Sequence, residues 1–317
     1  MKYFVLSKRN IEIDEERFIY FSNYFNIKLI KSSNLILSES PRQIYITDSF
    51  SIVELIKIIF LINKNDEIIL WSLELYNINF QAFFSELNKD IYNLYNLNIS
   101  YLLKFIIRLL IKFPFLIFKI LLLRIIINRK RSRLIVSSKI RVDFLKQKSK
   151  NKKIFFIRNS PLSSKIIHYK NISIPNKYIF IGGNIENLQD LKRVCLFCKL
   201  NKIRLKLAGN LNKSLIKKLQ EYSSLIDIYG FISHKEVCKL ISNAWAVAVI
   251  YNNRNINGRF SASGKLIEAM YLNKFLLVSD NPGISFELKD YSYERFILVN
   301  HLDKLSINEI KKVENKN

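Results

Sequence analysis

Glycine is scarce in this chain of 317 residues and is missing from its first 181. All seven glycines lie at or after Gly182. Turns with positive φ angles, and close approach of backbone to a ligand, are therefore expected in the second half. The shift in glycine use predicts an N-terminal domain over 1–160 and a C-terminal domain over 177–317. The polar stretch 161–176, which contains two prolines, is interpreted as a linker.

Cysteine is also rare, and the three cysteines are Cys195, Cys198 and Cys238. An odd, sparse count argues against a disulfide framework and favours a reducing compartment. Cys195 and Cys198 form a CxxC, but neither a second pair nor a histidine at metal-ligand spacing accompanies it. We therefore expect these two cysteines in a core. His234 is expected to cap its helix or pack at its start.

Acidic residues are few, with 26 Asp and Glu against 51 Lys and Arg, a formal net charge of +25. The window 101–160 holds 17 basic residues and one acid, Asp143. Such a block indicates an anionic partner, namely nucleic acid, anionic lipid or a phosphorylated ligand. A solvated basic face is the alternative. Nucleic acid is the weakest option because these cations lie within Leu, Ile and Phe runs rather than among polar and aromatic residues.

The segment 101–133 contains the longest apolar run, and that run is interrupted by charge. Four of its cations fall within about 80° on a helical wheel, and Pro114 would kink or split the helix. An apolar helix with a cationic stripe suits the surface of an anionic bilayer. A buried helical hairpin is the alternative, and a true membrane span is less favoured. The predicted membrane-contacting cations are Lys104, Arg108, Lys112, Lys119, Arg129, Lys130 and Arg131.

Short apolar strands alternate with helices along the second half, where the predicted helices include Lys213–Ser223, and less regularly along the first. The strands predicted in the first half are Lys2–Leu6, Ile27–Ile30, Gln43–Thr47, Glu67–Trp71, Leu134–Ser137 and Ile154–Ile157. This alternation predicts an α/β protein with two Rossmann-like domains facing across a cleft. In such sheets, ligands bind at the carboxyl ends of the strands, where loops lead into helix N-termini. The N-terminus has no signal-peptide layout, so we expect a cytoplasmic protein, peripheral on the inner face of the plasma membrane.

The stretch 260–283, "FSASGKLIEAMYLNKFLLVSDNPG", has the features of a nucleotide site. Gly264 opens a predicted helix, whose N-terminus suits a phosphate. Lys265 adds a full positive charge, and Glu268, one turn later, can accept hydrogen bonds from ribose hydroxyls. The alternative is a surface Lys/Glu pair worth a few tenths of a kcal/mol.

This stretch resembles the donor-site signature of family 4 glycosyltransferases of the GT-B fold, of the bacterial surface-polysaccharide type. The segments "YIFIGG", "LKLAGN" and "IDIYGFISHKEVCKLISNAWAVAVIY" also resemble successive parts of that family's donor domain. The resemblance implies a retaining transferase that takes a nucleotide-sugar and needs no cofactor or metal.

The resemblance also implies roles for individual residues. Lys265 would hold the donor diphosphate and stabilise the departing nucleotide, and Glu268 would bind the ribose. On the acceptor side, Arg17 would bind phosphate or acceptor, with a surface ion pair as its alternative. The backbone at Gly182 and Gly183 would face the diphosphate, and Arg259 would be a second phosphate cation. The residues that would flank the base are Gly230, Phe231 and Ile232, and Gly264 completes the implied donor-binding set.

Departures from the family pattern leave two functional hypotheses open. Phe260 stands where the family has an earlier glutamate, and Asn184, Glu186 and Asn187 stand where an arginine and a lysine are usual. The favoured hypothesis is an enzyme that transfers a sugar to a lipid-linked or surface-glycan acceptor, of the capsule or lipopolysaccharide type. The alternative is a degenerate, non-catalytic GT-B protein that acts as the membrane-bound partner of an active transferase.

Overall fold

The structure is a computed structural model. It describes residues 2–6, 23, 26–31, 42–47, 50–72, 114–148, 153–158, 169, 176–183, 185, 187–209, 211, 213–253, 255–261 and 263–304.

The chain forms two compact units. Unit 1 comprises Met1–Arg158 with Arg254–Asn257, and unit 2 comprises Asn159–Asn253 with Gly258–Asn317. Each unit contains a six-stranded sheet in which every pairing is parallel. The predicted α/β class with two Rossmann-like domains is therefore confirmed.

In unit 1, the sheet has the strand order β2-β1-β3-β4-β5-β6. Its strands lie within two residues of the segments that the apolar pattern predicts, whereas helix α2 was not predicted. Its elements are β1 (Lys2–Leu6), β2 (Lys28–Lys31), β3 (Gln43–Thr47), α1 (Ile52–Leu61), β4 (Glu67–Ser72), β5 (Ser132–Val136), α2 (Lys139–Lys148) and β6 (Lys153–Phe156).

A buried ion pair holds the amino edge of this sheet together. The Asp66 carboxylate accepts hydrogen bonds from the Arg42 guanidinium, at 2.6 and 3.1 Å, and from the Asn63 backbone N–H at 2.8 Å. The same guanidinium donates to the carbonyl of Leu61 at the end of α1. Because both charges are buried and fully paired, this cluster fixes α1 against the first residues of β3 and β4.

Residues 114–127 are helical and expose part of their apolar surface. Phe118, Leu121 and Ile125 lie in an exposed row, while Leu123 and Ile126 are buried. Within the described residues, none of the helices combines the length and the hydropathy needed to cross a bilayer. The residues 101–113 lie outside the described part.

In unit 2, the sheet has the strand order β12-β11-β10-β7-β8-β9. The predicted helix over 213–223 is wrong in its second half, where a 3₁₀ helix, Gln220–Leu225, replaces it. The short helix α6 and the helix α8 were not predicted. The elements are β7 (Asn176–Gly182), α3 (Leu188–Asn201), β8 (Arg204–Ala208), α4 (Lys213–Lys218), β9 (Ile226–Gly230), α5 (His234–Asn243), β10 (Ala244–Val249), α6 (Ile256–Arg259), α7 (Gly264–Tyr271), β11 (Phe275–Val278), α8 (Pro282–Asp290) and β12 (Phe296–Leu298). The first two residues of α6 belong to unit 1 and its last two to unit 2.

Two hydrophobic cores cover the two faces of this sheet. Ile179 and Ile181 of β7 point into one core, and Tyr178 and Phe180 point into the other. Burial on both faces explains why strands such as β11 are apolar at every position. The predicted core location of Cys195 and Cys198 is confirmed, since both are buried in the first of these cores.

Candidate nucleotide site

Three glycines end neighbouring strands at the carboxyl edge of the unit 2 sheet. Gly183, Gly209 and Gly230 follow or end β7, β8 and β9, and all three have positive φ angles. The N–H of Gly183 donates to the carbonyl of Ala208 at 2.8 Å, and the N–H of Gly209 donates to that of Gly230 at 2.7 Å. The turns are thus locked side by side and present backbone rather than side chains.

The closeness of these turns requires glycine at Gly209. A Cβ atom there would lie 2.9 Å from the Cα of Gly183 and closer still to its carbonyl oxygen, and the φ angle of Gly209 is +121°. A side chain is therefore excluded both by space and by backbone conformation. The result is a strip of bare backbone, the kind of surface that a phosphate can approach closely.

Helix α7 begins beside this strip. Its N-cap is the buried Ser263, whose hydroxyl accepts a hydrogen bond from the N–H of Leu266 at 3.2 Å. The loop that precedes α7 is held in place by Asn281 and Gly283, which follow β11. Gly283 leaves room for the backbone of Ser261, which would lie 2.7 Å from a Cβ there, and Asn281 donates to the carbonyl of Gly258 at 2.9 Å.

Lys265 extends over the first glycine turn. A Cβ atom on Gly182 would lie 2.9 Å from Cε of Lys265, and one on Gly183 would lie 3.0 Å from its Nζ. Among the described residues, no hydrogen-bond acceptor or carboxylate pairs with this ammonium group. The resemblance assigns Lys265 and the Gly182–Gly183 turn to the same diphosphate, and the structure places them next to each other. In the described part of the chain the positive charge has no internal partner, and the diphosphate role stays a prediction.

Glu268 is buried one turn further along α7, so the alternative of a surface Lys/Glu pair is wrong. Its Oε1 lies 2.8 Å from Nε2 of His234, at the start of helix α5. Its Oε2 is buried and has no hydrogen-bond partner in the described structure. A buried carboxylate oxygen without a donor costs free energy, and a ligand hydroxyl could supply that donor.

His234 completes this contact from α5. Ser233, rather than His234, caps the helix, in a capping box with Glu236. The imidazole lies against Cys238 Sγ, at 3.7 Å from Nε2, as well as against Glu268. Hydrogen bonding to Cys238 and to the Glu268 carboxylate raises the pKa of His234 to about 10, although partial burial opposes the shift. The carboxylate is the more effective partner, because it is charged at neutral pH.

A polar network holds the loops after β7, β10 and β11 together. Asp190 accepts a hydrogen bond from the Ser279 hydroxyl at 2.6 Å, and that hydroxyl accepts one from the Tyr251 N–H at 3.1 Å. Asn187 caps α3 and donates to Asp190 at 2.7 Å. Asn187 is one of three residues that stand where the resembled family usually has an arginine and a lysine, and here its side chain caps a helix and offers no charge to a phosphate.

The predicted base-flanking residues lie at the turn between β9 and α5. Gly230 has a φ angle of +64°, and Phe231 is 86% exposed. Ile232 instead packs against the second core of unit 2. Arg259 ends the short helix α6, is exposed, and lies 5.9 Å from the ring of Phe260. In the described structure no hydrogen bond or ion pair involves both Arg259 and Lys265, and the role of Arg259 as a second phosphate cation stays a prediction.

The predicted membrane cations divide into two groups. Arg129 and Arg131 donate to main-chain carbonyls of Ile62 and Asn65, at 3.2 and 2.9 Å, so they also support the fold. Lys119 is half-buried and Lys130 is exposed. Lys104, Arg108 and Lys112, together with the acceptor-side Arg17, lie outside the described residues.

The contact of His234 with Cys238 and Glu268 was not predicted from the sequence. The i,i+4 spacing of His234 and Cys238 places them on one helical face, which was a visible signal. Their approach to a residue 30 positions or more away depends on the packing of α5 against α7, which no local pattern reveals.

No family model matches the sequence, and no curated protein matches it. Solved structures do. HepE from Anabaena in complex with UDP-glucose aligns with a TM-score of 0.52 and 13% identity, over 95% of this chain and 80% of that one. Sucrose-phosphate synthase from Thermosynechococcus elongatus aligns with a TM-score of 0.51 and 13% identity, over 94% and 67%.

TarM from S. aureus, in a complex that includes UDP and α-GlcNAc-glycerol, aligns with a TM-score of 0.50 and 14% identity. This chain spans 48% of its length, while 86% of this chain is covered. At such identities the likeness establishes the fold and leaves the substrate open. The chain therefore has the GT-B fold, two Rossmann-like domains, as the resemblance implied.

Proposed function

We propose that this protein is a glycosyltransferase that transfers a sugar from a nucleotide-sugar donor to a lipid-linked or surface-glycan acceptor. Support for the donor class comes from the site in unit 2. It comes also from the fold, which this chain shares with HepE bound to UDP-glucose. The finer parts of the proposal are a family 4, retaining and metal-independent reaction at the inner face of the membrane.

One observation carries the proposal. A single helix, α7, presents an ammonium group over a bare glycine turn and a buried carboxylate oxygen, and neither group has a partner among the residues that the structure describes. Lys265 and Glu268 supply these two groups, three residues apart. A nucleoside diphosphate has the complementary chemistry, since its phosphates need cations and N–H donors and its ribose hydroxyls need acceptors.

The proposed mechanism follows from these positions. Lys265 and the α7 N-terminus stabilise the negative charge that develops on the diphosphate as the sugar–phosphate bond breaks. Glu268 accepts a hydrogen bond from a ribose hydroxyl through Oε2, while Oε1 stays on His234. Phe231, exposed at the neighbouring turn, offers a ring face to the base.

The acceptor side of the proposal depends on the helical segment 114–127. Its exposed row of Phe118, Leu121 and Ile125 is apolar, and it precedes the exposed Lys130. An apolar face beside basic residues favours the surface of an anionic bilayer, where a lipid-linked acceptor would lie.

The degenerate, non-catalytic partner remains the second candidate. Asn184, Glu186 and Asn187 favour it, because they stand where the resembled family usually has an arginine and a lysine and they offer no cation to a phosphate. Under that hypothesis the protein binds membranes but does not turn over a nucleotide-sugar.

The test is calorimetric titration of the full chain with UDP, GDP, CMP and dTDP. Lys265→Ala is compared with Lys217→Ala, since Lys217 is an exposed lysine in the last turn of α4. The chain passes from that turn towards the first residue of β9, so Lys217 lies near the amino edge of the sheet, whereas the candidate site lies at the carboxyl edge. We expect saturable binding of one nucleotide, weakened about 10–100-fold by Lys265→Ala, the value of a charge-assisted hydrogen bond. Lys217→Ala should bind as wild type does.

Binding of none of the four nucleotides by the folded protein would overturn the donor site. Equal affinity in wild type and Lys265→Ala would remove Lys265 from it. Nucleotide binding without transfer from any donor sugar would favour the non-catalytic partner.

A further inference from the structure

His234, Cys238 and Glu268 form a compact group of three different donor types. His234 and Cys238 lie one turn apart on α5, and Glu268 reaches them from α7. One donor atom from each, a nitrogen, a sulfur and an oxygen, lies within 4.8 Å of the other two. Among the described residues, this is the one group of three or more His, Cys, Asp or Glu side chains whose donor atoms lie close enough together to bind a metal ion.

We propose that His234, Cys238 and Glu268 form a binding site for Zn²⁺. Imidazole, thiolate and carboxylate are the three ligand types of protein zinc sites. A sulfur and a nitrogen donor favour Zn²⁺ over Mg²⁺ or Ca²⁺, which prefer oxygen donors.

The distances fit one ion. Nε2 of His234 lies 2.8 Å from Oε1 of Glu268 and 3.7 Å from Sγ of Cys238, and no pair of donors exceeds 4.8 Å. A point about 2.4 Å or less from all three therefore exists, near the zinc bond lengths of roughly 2.0–2.3 Å. Binding the ion requires small side-chain shifts and the release to solvent of two protons, one from the His234 imidazolium and one from the Cys238 thiol.

Two further features point to a ligand at this place. Cys238 and Glu268 are 1% and 6% exposed, so their donor atoms are held in a fixed, largely dry position. Oε2 of Glu268 is buried without a partner in the described structure, which leaves the carboxylate with unused capacity. The His234 side chain is half exposed, so an ion can enter from solvent past the ring.

Zinc binding has a consequence that rests on the proposed function. A Zn²⁺ ion bound by both oxygens of the Glu268 carboxylate occupies Oε2, the oxygen that the proposed function assigns to a ribose hydroxyl. The cation would therefore compete with the nucleotide, and Zn²⁺ would act as an inhibitor of donor binding rather than as a catalytic metal.

The test uses Co²⁺ as the probe, on the full chain under reducing conditions. Tetrahedral cobalt with a thiolate ligand gives a sulfur-to-metal charge-transfer band, which depends on neither nucleotide nor turnover. We expect this band in wild type, its displacement by Zn²⁺, and its loss in Cys238→Ser. Cys195→Ser is the matched control, because Cys195 is equally buried but lies in the other core of unit 2.

His234→Gln is a second ligand variant, included because Cys238 is buried and loss of the band in Cys238→Ser could also come from misfolding. The His234 side chain is half exposed, so the fold should persist while one ligand is lost. We expect Co²⁺ affinity to fall about tenfold or more. Absence of the band in wild type, or its persistence in Cys238→Ser, would overturn the site.

A second measurement separates this site from the proposed function. UDP is titrated with and without Zn²⁺ into wild type and Cys238→Ser. We expect Zn²⁺ to weaken UDP binding in wild type only. A cobalt band with UDP binding that ignores Zn²⁺ would overturn the competition. A cobalt band with no nucleotide binding at all would leave the zinc site standing and refute the nucleotide site.

Discussion

Each unit of this protein buries a carboxylate, and the two carboxylates differ in how they are satisfied. In unit 1, Asp66 accepts hydrogen bonds on both oxygens, from Arg42 and from the backbone of Asn63. In unit 2, Glu268 is paired on one oxygen with His234, and its other oxygen has no partner among the described residues.

One cation in each unit shows the same difference in pairing. Arg42 is buried in its ion pair, whereas Lys265 lies over a glycine turn with no internal partner in the described structure. Buried charges that serve the fold are paired, because an unpaired one costs several kcal/mol. A charge or acceptor left unsatisfied next to bare backbone therefore marks the place where a ligand is expected.

The largest expected effect is on the stability of unit 1. Asp66→Ala leaves the Arg42 guanidinium buried without its partner and should lower the free energy of unfolding by about 3–5 kcal/mol. The chain has two tryptophans, Trp71 in unit 1 and Trp245 in unit 2. Denaturant unfolding followed by Trp71 fluorescence in a Trp245→Phe background therefore reports on unit 1 alone.

Glu268→Gln is the counterpart in unit 2, in a Trp71→Phe background. The amide keeps a hydrogen bond to His234 but loses the charge that favours the protonated imidazole, so the free energy of unfolding at neutral pH should fall by about 1–2 kcal/mol, less than for Asp66→Ala. A cost as large as that of Asp66→Ala would mean that Glu268 is a structural residue like Asp66.

The glycine strip gives the next largest effect. Gly209→Ala forces a Cβ atom against the Gly183 backbone and should cost roughly 2–4 kcal/mol, from overpacking and from the φ angle of +121°. Gly230→Ala is the control, because a Cβ there meets nothing within 4 Å and only the positive φ is unfavourable. It should cost about 1 kcal/mol. Unfolding followed by Trp245 fluorescence measures both, and equal costs would contradict the close packing of the turns.

The smallest effect concerns the exposed apolar row of unit 1, formed by Phe118, Leu121 and Ile125. Phe118→Glu places a carboxylate in the exposed row and should weaken binding to phosphatidylglycerol vesicles by about tenfold, a loss of roughly 1–2 kcal/mol of apolar burial. Leu200→Glu is the control, since Leu200 is 72% exposed in unit 2. Vesicle co-sedimentation measures both, and an equal loss in the two variants would argue against a membrane face at 114–127.

Much of the fold could be predicted from the sequence because both sheets are parallel and buried. Short apolar runs such as Phe275–Val278 are recognisable without any knowledge of their neighbours. The helix α8 was missed because Asn281 and Pro282 suggest a turn, although Asn281 is its N-cap and Pro282 its first residue. A proline at that position favours a helix start as much as a loop.

The site could be predicted in part. The meeting of Lys265 with Gly182 and Gly183 follows from topology, because loops after parallel strands gather at one edge of the sheet. The burial of Glu268 and its contacts with His234 and Cys238 could not be predicted. They depend on how two helices pack, which single-sequence periodicity does not specify.

The central claim is that the unpartnered Oε2 of Glu268 binds a ribose hydroxyl of the nucleotide. The most direct test compares nucleotides with and without those hydroxyls. UDP and 2′,3′-dideoxy-UDP are titrated by calorimetry into wild type and Glu268→Gln. If Oε2 accepts a ribose hydroxyl, wild type should bind UDP about 10–100-fold more tightly than the dideoxy analogue, and Glu268→Gln should lose most of that preference. The same preference for UDP in both proteins would contradict the assignment of Glu268 as the ribose acceptor.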